Sequence, residues 1–237
     1  MTQPFRKDVR YFSRYWNGVS AELKEDRIEV RLPHICHTLS SAIWPGGFSM
    51  ADGFVNWKVP LDYRCDEPVS DLKRRCGEWG FRPDSTVGFL TAAKLTHASV
   101  TELEGDRFRL LCITTVGTRN AARAGLKRET YSAYAPGTIN SILLIDARMT
   151  ESAMVNAVIT ATEAKAAALQ QLNIREAANG LSATGTTTDA VAIGVSQSAE
   201  WGEAVHAYAG AATTIGCAIG EAVYETVLEA GATQHEV

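Results

Sequence analysis

Residues Gly137–Ile174 read GTINSILLIDARMTESAMVNAVITATEAKAAALQQLNI, and the fold turns on how that run divides. Its first ten residues hold the apolar block Ile142–Ile145, which suits a buried strand. From Thr150 the character changes: alanine dominates, Thr150 stands where an N-cap belongs, and Glu151 puts negative charge in the first turn. The division predicts a strand over 137–146 and a long helix over 150–172. Between Glu151 and Glu163 that helix carries no charge, so most of its circumference is expected to be buried.

Upstream, the chain is strand-rich. DRIEVRL (26–32) alternates charge with Ile28, Val30 and Leu32, and HTLSSAI (37–43) reads as a second strand after Pro33. WPGG (44–47) is a turn and GFVNWKVPL (53–61) a further strand. VSDLKRRCGEWG (69–80) spaces Leu72, Cys76 and Trp79 helically and stops at Gly80. TVGFLTA (86–92), ASVTELE (98–104) and DRFRLLCITTVG (106–117) are strands, the last two joined as a hairpin around Gly105 and Asp106. Downstream come a strand over AVAIGVS (190–196) and a helix surest over 213–228. With no repeat or long linker, the expectation is one α+β domain over 1–237, its mixed, mostly antiparallel sheet packed against two long helices.

The 237 residues are 46% hydrophobic and 21% charged, with 23 Lys and Arg against 27 Asp and Glu. That acidic balance lacks the basic stripe that nucleic acid requires, and no stretch reaches the length of a membrane span. Five cysteines without a CxxC pair suggest reduced thiols and a cytoplasmic protein. HICH (34–37) lacks the second ligand pair of a structural zinc site and reads as a strand touching the core.

Asn156, Thr160 and Glu163 align on one stripe of the long helix, which makes Glu163 either a general base facing a pocket or half of a surface pair with a lysine, Lys165 being nearby but on a different face. Three polar loops fall at strand ends. TTVGTRNAARAG (114–125) offers Thr118, Asn120 and Arg123; GTIN offers Thr138 and Asn140; and SATGTTTD (182–189) offers Thr184, Thr186, Thr187, Thr188 and Asp189. Each also suits an ordinary turn, with hydroxyls satisfying backbone and Asp189 closing an Asx-turn. No P-loop lysine, GxGxxG, GxSxG or HExxH is present, and His97 and His206 stand alone.

Taken in order, TLSSAIWPGGF, VGFLTAAKLTHAS, TTVGTRNAARAG, PGTINSILLID, AMVNAVITATEAKAAALQQLNI, LSATGTTTDAVAIG and YAGAATTIGCAIGEAVYETV resemble the adenosylcobinamide amidohydrolases, corrinoid-salvage enzymes called CbiZ. These motifs run from about Leu39 to Val227 and leave residues 1–35 outside. The resemblance implies hydrolysis of the amide that holds the aminopropanol arm of adenosylcobinamide, leaving adenosylcobyric acid. The corrinoid is then the substrate, no cofactor or metal is expected, and self-association is left open. Amide hydrolysis needs a base and oxyanion donors. Glu163 or Asp189 fits the base. Asn120 and Asn140 fit the orienting and oxyanion role, and the threonines of 184–188, with Thr118, Arg123 and Thr138, fit contacts to an amide-rich corrinoid or supply a nucleophile. The rivals are a threonine-nucleophile hydrolase acting on another substrate and a corrinoid-binding protein without turnover.

Overall fold

Period-two alternation along the strand that follows Gly137 sorts the molecule into two sides, because successive side chains point to opposite faces of a sheet. The computed structural model describes residues 3–127 and 137–236. Along them run β1 (Arg10–Phe12), β2 (Ser20–Leu23), β3 (Arg27–Ser40), β4 (Gly47–Lys58), α1 (Pro68–Glu78), β5 (Thr86–Thr91), β6 (Ser99–Gly105), β7 (Phe108–Val116), β8 (Ala121–Ala122), β9 (Ile139–Asp146), α2 (Glu151–Gln171), β10 (Gly185–Thr186), β11 (Ala190–Val195) and α3 (Thr214–Thr233). On β9, Ile139, Leu143 and Ile145 face a core shared with α2 and α3, whereas Ile142 and Leu144 face a second core. That second core collects Phe54, Val87, Phe89, Leu111 and Ile113 from strands on both arms of the sheet, so the sheet curls around it.

The main sheet runs β1-β2-β3-β11-β9-β7-β6, with β4 added to the other edge of β3 and β5 added to β4. Among the described residues of this sheet, only the β9–β11 and β4–β5 pairs are parallel; the others are antiparallel. One α+β domain with a mixed, mostly antiparallel sheet and two long helices is therefore the observed architecture. A third core, Val55, Trp57, Leu72, Cys76 and Phe81, seats α1 on the outside of β4.

The two strands expected on either side of Pro33 are one strand, β3. Its register with β4 shifts between Arg31 and Cys36, and Pro33, which has no N–H to give to a ladder, falls inside that irregularity. β3 pairs β2 along its first half and β11 along its second. Cys36 is buried, and burial pushes its thiol up to about 12. His34 lies outside, its ring 5.8 Å from that of Trp16. Among the described residues no group of three or more His, Cys, Asp or Glu is placed to hold a metal, and no helix is long and apolar enough to cross a membrane.

The long helix starts as expected, with Thr150 Oγ1 accepting from the Ala153 N–H at 3.1 Å. The expectation that most of its circumference is buried fails. Ala153, Met154, Ala157, Thr160 and Ala161 pack inward, while Val155 and Ile159 are 44% and 50% exposed. A run without charges reflects here how closely small residues bring α2 to the sheet and α3, and its outer side stays in water.

Candidate active site

Parallel pairing of β9 with β11 sets Asn140 beside Ala190, so the GTIN loop and the end of the threonine-rich loop meet at one end of the sheet. A two-residue ladder, Ala121↔Thr186 and Ala122↔Gly185, draws in the 114–125 loop. The three polar loops singled out in the sequence therefore converge.

Asp189 is held at their centre. Its Oδ1 accepts from the Ile139 N–H at 3.1 Å and from the Thr186 hydroxyl; its Oδ2 accepts from the Thr186 N–H at 3.0 Å and from Lys165 Nζ. Four donors fill the acceptor capacity of one carboxylate. Lys165 and Asp189 are both largely shielded from water, which strengthens their attraction. Gly185 makes room for the pair, since a Cβ there would collide with both Asp189 Oδ2 and Lys165 Nζ. Gly137, at φ +136°, likewise leaves the space that Asn120 Oδ1 fills.

The threonine side chains each have a partner inside this assembly. Thr184 Oγ1 accepts from the Ala124 N–H and Thr187 Oγ1 from Asn120 Nδ2, at 2.9 and 2.7 Å. Thr188 Oγ1 donates to the Gly137 carbonyl at 2.9 Å, and Thr138 Oγ1 donates to the Thr188 carbonyl at 2.8 Å. Thr118 is engaged by Gln234 at the end of α3, through both its N–H and its hydroxyl. Arg123 donates its guanidinium to the Ser182 carbonyl at 2.8 Å, and its N–H to the buried carboxylate of Glu176 at 3.2 Å.

Two cavities open at this end of the sheet and share Ser41 and Ala190 on their walls. The larger, about 500 Å³, is lined by the polar Thr138, Asn140 and Thr188 and by the apolar Ile43, Val59, Leu61 and Phe89. The smaller, about 250 Å³, is lined by Ser141, Thr162, Lys165 and Asp189. Glu163 lines neither. The segment whose Ala209 carbonyl accepts from Thr160 Oγ1 covers that turn of α2, and Glu163, nearly a turn further on, is exposed. Lys165 turns away from Glu163 to Asp189, so the surface pair is not formed.

Behind Asn140 lies a buried polar chain. Asn140 Nδ2 donates to the Leu90 carbonyl at 2.8 Å and to Asn56 Oδ1 at 2.9 Å, and Asn56 Nδ2 donates to Thr115 Oγ1 at 2.9 Å. Asn56, Lys165 and Ser41 were not among the residues singled out as site candidates. For Asn56 a signal existed: in GFVNWKV it shares the inward parity of Phe54. For Ser41 none did, because its position depends on β3 pairing with β11.

The family model described as adenosylcobinamide amidohydrolase matches residues 14–237, beginning well before the quoted motifs. The uncharacterized protein MJ1613 of Methanocaldococcus jannaschii is 33% identical over 67% of this chain and 67% of its own length. Proteins named adenosylcobinamide amidohydrolase from Methanosarcina mazei and Halobacterium salinarum are 30% and 28% identical, over 77% and 78% of this chain and 84% and 75% of theirs. The crystal structure of the PH0078 protein from Pyrococcus horikoshii OT3 aligns over 89% of this chain and 77% of its own at 11% identity, with a TM-score of 0.43.

Proposed function

Because the chain belongs to the adenosylcobinamide amidohydrolase family, we propose that it hydrolyses the amide joining the aminopropanol arm to the corrinoid, releasing aminopropanol and adenosylcobyric acid for salvage. The observation that carries this reading is the larger cavity, whose lining combines amide and hydroxyl groups with apolar side chains, next to the smaller cavity that Lys165 and Asp189 line. Such a cavity suits an amide-bearing arm and the edge of a ring whose periphery carries further carboxamides.

In hydrolysis, water oxygen adds to the carbonyl carbon, the C–N bond breaks, and the nitrogen leaves with a proton. Asp189 is the base in this reading and acts through Thr186: the attacking water gives a proton to Thr186 Oγ1 as that hydroxyl's own proton passes to Asp189 Oδ1 along their hydrogen bond. Lys165 holds the carboxylate in place and can return a proton to the departing amine. Thr138 and Thr188 shape the wall that meets the substrate. No cofactor is invoked, and the corrinoid is the only partner the chemistry requires.

The Thr186–Asp189 hydrogen bond also supports a second reading, in which Thr186 itself attacks and an ester forms on it before water completes the reaction. Turnover of adenosylcobinamide by Asp189→Asn, Lys165→Met, Thr186→Val and Glu163→Gln separates these cases. The proposal expects Asp189→Asn to lose at least about a hundredfold, as removal of a general base does, with Glu163→Gln near wild type. Wild-type turnover in a folded Asp189→Asn removes Asp189 from the chemistry, an active Thr186→Val removes both the relay and the ester, and a corrinoid ester found on Thr186 by mass spectrometry after acid quench selects the second reading over the first.

A further inference from the structure

We propose that Asn140 reads an N–H of the bound amide through its carbonyl oxygen, and that Asn56 is the positioning residue that keeps it facing that way. This rests on the hydrolase reading and reverses the oxyanion-donor role expected for Asn140. The argument starts from Leu90. A backbone carbonyl only accepts, so the Asn140 side-chain atom 2.8 Å from it is the NH₂ nitrogen, whichever way the amide is drawn. The same nitrogen gives its second proton to Asn56 Oδ1 at 2.9 Å. Neither proton is left for an oxyanion.

What remains is Asn140 Oδ1, on a residue 2% exposed that lines the larger cavity. Among the described residues its hydrogen-bonding neighbour is the Thr138 hydroxyl, 3.3 Å away. That hydroxyl has one proton, and the Thr188 carbonyl takes it at 2.8 Å. Asn140 Oδ1 is thus a buried acceptor with capacity to spare, which favours a ligand that brings an N–H. Asn56, 3% exposed, cannot rotate its amide without facing its own NH₂ to that of Asn140, and Thr115 Oγ1 receives the donor it turns the other way. The orientation is fixed from Leu90 through Asn140 and Asn56 to Thr115.

The test compares adenosylcobinamide with the analogue in which an ester oxygen replaces the amide N–H of the aminopropanol arm. Kd is read from the corrinoid's visible absorbance, alongside release of the arm. The wild type should bind the amide about tenfold more tightly than the ester, the scale of one buried hydrogen bond. Asn56→Leu should erase that preference by weakening amide binding alone, and the milder Thr115→Val should lower it about threefold in the same direction. Equal loosening of both ligands, or a wild type that does not distinguish them, overturns the proposal, because a merely structural role would move both together. A wild type that prefers the amide, loses the preference in Asn56→Leu and yet releases no aminopropanol contradicts the hydrolase reading and leaves this one standing.

Discussion

Gly185 shows how much of the site depends on a missing side chain. The space that a Cβ would take is occupied by Asp189 Oδ2 and Lys165 Nζ. Gly185→Ala is expected to cost about 1–3 kcal/mol of stability, as overpacking does, and to lower turnover more than its stability loss explains. Urea denaturation and a turnover assay on the folded variant check this. His97 gives a prediction in pH. Burial lowers its pKa below the ordinary value, Arg6 and Lys94 lower it further, and Glu236 opposes them. The neutral ring is therefore favoured in the folded chain, while the unfolded chain takes up a proton near pH 6.5. Stability is complete above about pH 6.5 and falls as the pH drops from there towards the depressed folded value. His97→Gln should flatten that decline in urea midpoints taken between about pH 7.5 and 5.5; an unchanged slope contradicts it. At this scale the sequence distinguishes types of group better than partners. Asp189 is legible as a carboxylate in a polar loop. Its cation, Lys165, is in plain view on the helix, but nothing local points it at Asp189, since which way a lysine turns depends on what packs against its helix.

Elements were legible where local chemistry decides them, and less so where packing does. Thr150 caps α2 as its position predicts, and Gly80, at φ +77°, follows the end of α1. Pro33 misled in the other direction, because a proline that breaks a regular strand is tolerated inside a bulge. On α2, the absence of charge predicts burial of most of the circumference, whereas Val155 and Ile159 face solvent. Two substitutions on this one helix should therefore diverge. Ile159→Glu is expected to shift stability by no more than about 0.5 kcal/mol, the range for surface changes. Met154→Ala removes a fully buried side chain and should cost about 2–5 kcal/mol. Chemical denaturation of both variants reads the contrast, and equal losses would mean that the outer side of α2 is covered.

Across the whole molecule, the site is assembled by pairings distant in sequence. β11 enters between β3 and β9, and β5 lies parallel to β4. No local pattern announces these pairings, yet they bring Ser41, Asn56, Asn140 and Asp189 to one end of a curled sheet. The three polar loops were legible as loops at strand ends; that they meet follows from the β9–β11 register and the β8–β10 ladder. The central claim is hydrolysis of an amide at this convergence, and incubation of adenosylcobinamide with the wild-type protein in heavy-oxygen water tests it most directly. Mass spectrometry should find free aminopropanol and a corrinoid carboxylate carrying one heavy oxygen from the solvent. A corrinoid that binds, shifts its visible spectrum and is recovered with its arm intact would contradict the account.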